Sequence, residues 1–286
     1  INCHSFKTFE LVSKHFPEKT NFIPHALPEE LYFPMSSEDK KKHKLTLLGK
    51  DREDHFVGIW INRNAKRKRP NDVMMSWKLF LDNLEKKHGH RNATLIMHTD
   101  PRDQEGPNLF VSADVIGVKD DVFFSPQRIE FEQMNVLHNI SDFCINIALN
   151  EGFGLPTLEA MQCGNPIIAQ KTGGLTRQVV DHRDESENGF ALDPDVRSMV
   201  GSQMVPYIYE DYCTNEKTAD AMMKMYELGP EGRDKIGKKA RAYVQSEFNL
   251  KNTIDRWDET LTDLIENWRK NKGNERNWKI KELKSS

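Results

Sequence analysis

Two carboxylates, Glu151 and Glu159, flank a short segment that also carries Gly152, Phe153, Gly154, Leu155 and Thr157. The glycines remove Cβ atoms, so backbone N–H groups of residues 152–157 can approach a ligand, and the start of a helix aims its positive end at them. That arrangement suits a phosphate. Carboxylates beside a phosphate are unfavourable unless they bind something else, and hydroxyl groups are the natural partner. A sugar on one side of a diphosphate and a ribose on the other would occupy both glutamates, while the amides and Thr157 hold the phosphates. A second feature is the basic run Asn62-Arg-Asn-Ala-Lys-Arg-Lys-Arg-Pro70. Three readings compete for it: a nuclear-localisation or nucleic-acid patch, a solvated loop, or a diphosphate clamp built on Arg63 and Lys68.

The elements that must position these groups follow from patterning. Residues 143–149 are an almost wholly apolar run with the β-branched content of a strand buried on both faces. Pro156 suits the first turn of a helix and Gly164 its C-terminus, giving a helix of about two turns, roughly 12 Å long. Further strands are expected at 55–61, 93–98, 122–124 and 166–169, and helices along the stripe Val73, Met74, Trp77, Phe80, Leu81, Leu84 and at 109–117 and 131–139. Strands alternating with helices at this spacing predict an α/β chain with a doubly wound parallel sheet. Such sheets bind ligands at the carboxyl ends of their strands. Residues 62–69, 98–103, 125–129, 150–157 and 170–174 each follow a predicted strand, so the candidates collect on one edge.

The stretch Glu151-Gly-Phe-Gly-Leu-Pro-Thr-Leu-Glu159-Ala-Met-Gln-Cys-Gly-Asn-Pro166 resembles the two-glutamate signature of retaining GT-B glycosyltransferases. The resemblance runs from about Ile23 to about Trp268. It implies the Rossmann-like C-terminal lobe of that fold, with helices at its C-terminus, binding a nucleoside-diphosphate sugar linked to uridine or guanosine. By resemblance Glu151 contacts the donor sugar, Glu159 the ribose, and Arg63 and Lys68 neutralise the diphosphate. Gly173 lies beside the donor, and Ile129 follows the third strand where the nucleobase is held, largely by backbone. Arg67 and Arg69 are then expected to face solvent or a partner. Lys68 is expected to act on the ligand alone, so that its removal leaves stability unchanged. The segment Ile23-Pro-His-Ala-Leu-Pro-Glu-Glu-Leu-Tyr-Phe-Pro34 resembles the crossing between lobes, with Ala26 where a glycine is common. Residues 1–36 are accordingly expected to be a remnant of an acceptor lobe plus linker, starting within a helix, and 37–286 the nucleotide-sugar lobe. The acceptor, whether glycan, lipid or protein, is not named by the sequence, and peripheral membrane contact is expected only through a missing first lobe.

Other classes fit less well. A net charge of −3 over 286 residues is not that of a domain built to bind nucleic acid. Four cysteines without a CxxC pair read as reduced and buried, and no run is long enough to span a bilayer, which together predict a cytoplasmic chain. Asp193-Pro-Asp195 and His88-Gly-His90 are read as loops, and no metal or cofactor is expected. A dinucleotide oxidoreductase would place its glycines at the first strand, with a third glycine. A donor-binding module without catalysis remains an alternative. From Asn215 the chain reads as helical, with Leu250, Ile254, Trp257, Leu261, Leu264, Ile265 and Trp268 as a core stripe and a frayed tail after Asn271.

Overall fold

The computed structural model describes residues 1–271. It opens with a small unit in which strand β1 (Asn2–Cys3) pairs in parallel with β2 (Asn21–Phe22) around helix α1 (Phe6–Val12). The chain therefore does not begin within a helix. The linker at 24–36 leads into α2 (Ser37–Leu48), a helix that a charged, unstriped sequence concealed. Its N-cap is Ser36, whose hydroxyl accepts from the Asp39 amide.

The main sheet follows: β3 (Phe56–Ile61), α3 (Pro70–His88), β4 (Ala93–His98), α4 (Leu109–Ile116), β5 (Val122–Ser125), α5 (Phe131–Asn139), β6 (Phe143–Asn146), α6 (Leu155–Gln162), β7 (Ile167–Gln170), α7 (Thr176–Val179) and β8 (Gly189–Leu192). All six strands are parallel, in the order β5-β4-β3-β6-β7-β8. Five were expected. The sixth, β8, is four residues long and begins on glycine, too brief for a periodic signal. Strand β6 also leaves the sheet sooner than its apolar run suggested, because residues 147–149 stay buried but turn to meet the 62–69 loop, where the Leu149 amide donates to the Arg67 carbonyl at 2.8 Å.

Apolar layers cover both faces. On one side Trp60, Trp77, Phe80, Leu95 and Phe143 pack with α3 and with α8 (Asn215–Glu227), which follows the sheet. On the other, Ile59, Ile96, Leu158 and Met161 pack with α9 (Gly229–Glu247) through Tyr243 and Val244. Gly58 lets α3 close on the sheet: a Cβ there would sit 2.7 Å from the Phe143 ring and 3.3 Å from Trp77.

Two features depart from expectation. An antiparallel hairpin, β9 (Val196–Val200) and β10 (Ile208–Tyr212), stands apart from the main sheet. The final helix α10 (Leu250–Asn271) carries the expected stripe, but Ile254, Leu261, Leu264, Ile265 and Trp268 are exposed, so among the described residues it is not a core stripe. The expected tail beyond it lies outside the described residues. Among the described residues no helix is long and apolar enough to cross a membrane.

Trp77 is wholly buried whereas Met75, on the outer face of the same helix, is 37% exposed. Trp77→Ala should therefore cost about 3–5 kcal/mol in urea unfolding and Met75→Ala no more than about 0.5 kcal/mol. Equal losses would show that α3 packs by another face.

Candidate active site

The carboxyl ends of β3, β4 and β5 open onto a cleft of about 890 Å³ whose walls include Arg63, Lys68, His98, Ser125, Arg128 and Pro156. Most of the wall residues end or follow a strand, as the crossover topology dictates. Two buried polar atoms in this wall, Asn62 Nδ2 and Thr99 Oγ1, have no hydrogen-bond partner among the described residues. Buried polar groups are nearly always satisfied, so these two atoms can bond to a water or a ligand in the cleft. Neither residue was singled out in the sequence; their position directly after β3 and β4 was the available signal.

Lys68 reaches from the cleft to Glu151 on the turn before α6, and their side chains form an ion pair that is 8% and 10% exposed. Asn146 adds a long contact to the same carboxylate oxygen at 3.5 Å. Burial pushes the Lys68 ammonium below its ordinary pKa, and the Glu151 carboxylate opposes that shift. The lysine thus ties the basic loop to the glycine turn while lining the cleft, where the sequence had assigned it to a ligand alone. Arg63 remains 63% exposed and holds Asp103 in a two-point contact at 2.7 and 3.1 Å. The arginine keeps the Asp103 carboxyl below the usual range. Arg67 is exposed, but Arg69 is buried: it donates to Asp72 and to the Cys213 carbonyl, tying the loop to the start of α8, and is not solvent-facing.

The turn from Glu151 to Leu155 is held from beneath. Gly173 takes φ +47°, and any Cβ there would collide with the Glu151 carbonyl oxygen; the Gly174 amide donates to that oxygen at 3.0 Å. Gly154 (φ +93°) leads into α6, while a Cβ on Gly152 would meet nothing within 4 Å, leaving that backbone open to a ligand. Leu155 is 40% exposed on the first turn. Thr157 does not face the cleft. Its hydroxyl is wholly buried, within hydrogen-bonding reach of the Gly154 carbonyl (2.7 Å) and Gln178 Oε1 (2.6 Å), and Gln178 Nε2 donates to the Phe153 and Gly154 carbonyls. Thr157 packs beneath the turn, with its hydroxyl turned away from the cleft. The Phe153 ring likewise points into the core, edge-on to His25 at 5.0 Å and Phe248 at 5.7 Å, so only its backbone is available. Ile129 is half-buried against the apolar layer and is not part of the cleft wall, which residues 125–128 form instead.

Glu159 projects from α6 and is 13% exposed, 3.1 Å from Nε2 of the fully buried His138. Tyr32 of the linker stands beside it; burial first and then the Glu159 charge push its hydroxyl pKa above the ordinary range. His98, at 3.0 Å from Ser125 Oγ, is lowered by burial and then by nearby His138. Tyr32 and His138 were not anticipated, because nothing in their spacing relates them to Glu159. Away from the cleft, Asp193 pairs with Lys171 at 2.6 Å and Asp195 with Lys217, and the His88 and His90 rings lie 6.2 Å apart beside Tyr226.

The family model for glycosyl transferases group 1 matches residues 49–243. The chain belongs to that family. Among its relatives, a D-inositol 3-phosphate glycosyltransferase from Corynebacterium jeikeium is 31% identical over 138 residues, which is 43% of this chain and 32% of the relative. The Anabaena HepE structure, solved with UDP and glucose, superposes with a TM-score of 0.71 at 20% identity, covering 92% of this chain and 62% of HepE. The C-terminal domain of a group 1 glycosyltransferase from Francisella tularensis superposes with a TM-score of 0.56 at 20% identity, over 78% of this chain and 99% of that domain. At these identities the structures establish a shared GT-B fold. The chain spans about a third of the Corynebacterium relative and less than two thirds of HepE.

Removing one partner of a buried ion pair leaves an uncompensated charge and costs about 3–5 kcal/mol, whereas an apolar replacement of both is often neutral. Lys68→Met and Glu151→Leu should each lower stability toward that range, and the double variant should recover most of the loss in chemical denaturation. Additive losses would mean that the two side chains are not coupled.

Proposed function

We propose that this chain is the donor-binding lobe of a retaining glycosyltransferase and that its substrate is a uridine or guanosine diphosphate sugar. The observation that carries the reading is the Lys68–Glu151 pair at the start of α6, beside a cleft that also presents Arg63 and unpartnered Asn62 and Thr99. In this reading the diphosphate enters between the open Gly152 backbone, Lys68 and Arg63. Lys68 shifts from the carboxylate to a phosphate oxygen, and Glu151, released from the lysine, accepts hydrogen bonds from sugar hydroxyls. Glu159, oriented by His138, takes the ribose hydroxyls. The base lies toward residues 125–128. No cofactor beyond the donor is invoked.

Transfer then breaks the bond between the anomeric carbon and the diphosphate as the acceptor oxygen joins the same face of that carbon. The acceptor proton passes to the departing phosphate oxygen. Negative charge grows on the leaving group during this step, and Lys68, Arg63 and the amides of α6 are fixed where it grows, which is the largest kind of catalytic stabilisation a protein offers. The acceptor is a glycan, a lipid or a protein. Support from outside the chain is of the same kind: the family match, and the UDP and glucose in the HepE structure.

Titration calorimetry against nucleoside diphosphates and the matching nucleosides tests the clamp. Arg63→Ala should weaken diphosphates by about 10- to 100-fold, the loss of one charge-assisted hydrogen bond of about 1.5–3 kcal/mol, and leave nucleosides unchanged. Arg63 suits this experiment because it is exposed. Equal losses for both ligands would exclude the clamp.

Glu159→Gln should weaken ribose-containing diphosphates and spare their 2′,3′-dideoxy analogues. If both classes lose the same affinity, the carboxylate serves α6 and the His138 contact, and does not serve the sugar.

A further inference from the structure

The hairpin β9–β10 is not accounted for by donor binding. From Ser198 to Tyr209 no residue is charged, in a chain whose charged fraction is 30%. Buried strands often read this way, but these residues are not buried: Met204 is 89% exposed, Tyr207 75%, Met199 60% and Tyr209 60%. Met199 and Tyr209 are directly paired across the strands and so share a face. The charges of the hairpin are confined to its root, and there they are engaged: Arg197 holds Asp211 at 2.6 Å, and Glu210 accepts from the Tyr212 hydroxyl at 2.7 Å.

The root is fastened to the donor edge. The Asp211 amide donates to the Leu149 carbonyl at 2.8 Å, the Thr172 hydroxyl donates to the Asp211 carboxylate at 2.8 Å, and the Cys213 amide donates to the Gln170 side chain at 2.9 Å. The hairpin is therefore anchored on the sheet edge that carries Glu151, with its uncharged tip projecting away. Two amides of the tip turn are bonded within it: the Ser202 amide donates to the Val205 carbonyl at 2.8 Å, and the Val205 amide to the Ser202 hydroxyl at 3.2 Å.

We propose that this tip seats in the headgroup region of a lipid bilayer and holds the donor edge at a membrane surface. An uncharged surface that exposes Met199, Met204 and Val205 beside the neutral polar Ser202 and Gln203, flanked by tyrosines, matches the interfacial zone, where tyrosine rings concentrate. Amides bonded within the turn can leave bulk water without the penalty of an unpaired donor. A second copy of the chain would have to offer a matching shape over about 800 Å² on each partner, whereas a bilayer demands no complementary shape. With no cation in the tip, attachment is apolar and insensitive to salt. This goes beyond the donor reading and does not depend on it.

The four cysteines are all buried, so Met204→Cys supplies a single accessible thiol for an environment-sensitive nitrobenzoxadiazole label. Adding phosphatidylcholine vesicles to the labelled full chain should brighten and blue-shift the label, equally at low and high salt. In co-sedimentation with the same vesicles, Met204→Asp and Tyr207→Asp should each reduce the bound fraction several-fold while melting temperature and nucleoside diphosphate affinity stay unchanged. An unaltered label at millimolar lipid overturns the proposal. So does undiminished sedimentation of Met204→Asp, which would move the contact elsewhere, for example to the exposed stripe of α10. So does a dimer seen by light scattering that Met204→Asp abolishes. Because donor affinity is read in the same variants, failure here leaves the donor reading standing, and failure of the donor reading leaves the vesicle result interpretable.

Discussion

The arrangement of the cleft depends on one buried ion pair, Lys68 with Glu151. The two residues come from loops after different strands, β3 and β6, which are adjacent in the sheet. Opposite charges this deep are costly to desolvate, and the pairing offsets a cost that neither group could bear alone. The pair therefore fixes the distance between the basic loop and the glycine turn. Backbone bonds reinforce it, since the Leu149 amide meets the Arg67 carbonyl one residue from the lysine. The desolvation that makes the pair necessary also strengthens the interaction of either charge with a ligand that replaces its partner.

Around that pair, several side chains have the sole task of shaping the turn. Gly173 is glycine because the Glu151 carbonyl occupies the space of a Cβ. Gln178 gathers the Phe153 and Gly154 carbonyls and stands against the Thr157 hydroxyl, so three polar groups that face away from the cleft are satisfied beneath it. The site thus has an inner layer that keeps amides pointing outward and an outer layer, Arg63, Lys68, Asn62 and Thr99, that meets the cleft. A segment whose backbone must stay open to a ligand cannot use its own amides to hold itself, and side chains from α6 and α7 take over that role.

Much of this was legible in the residues. The apolar runs at 55–61, 93–98 and 143–149 announce strands, the last of them three residues too long, and crossover topology places the loops that follow them on one edge without reference to side chains. Some of what was hidden depends on partners distant in the chain. Thr157 looks like a phosphate ligand until Gln178, 21 residues on, is seen to meet it. Arg69 looks like a solvated charge until Cys213 and Asp72 enclose it. The α10 stripe has the period of a core helix, and period reports only that one face is apolar, not that anything covers it. Strand β8 and helix α2 were invisible for the complementary reason, being too short or too uniformly charged to carry a period at all.

The linker shows how far such long-range ties extend. The Phe33 and Met35 amides donate to the side chains of Asn135 and Asn139 at 3.1 and 2.8 Å, and Asn139 returns a bond to the Phe33 carbonyl at 2.9 Å. These contacts seat the linker on α5, the helix that also carries His138. Tyr32, the preceding residue, is thereby placed beside Glu159 together with His138. One segment thus contributes to two tasks, connecting residues 1–23 to the sheet and walling the second glutamate. Because His138 and Asn139 are consecutive on one rigid helix, the linker cannot shift along α5 without changing the surroundings of that carboxylate. The crossing from the small N-terminal unit to the sheet and the geometry of Glu159 are parts of a single packed arrangement.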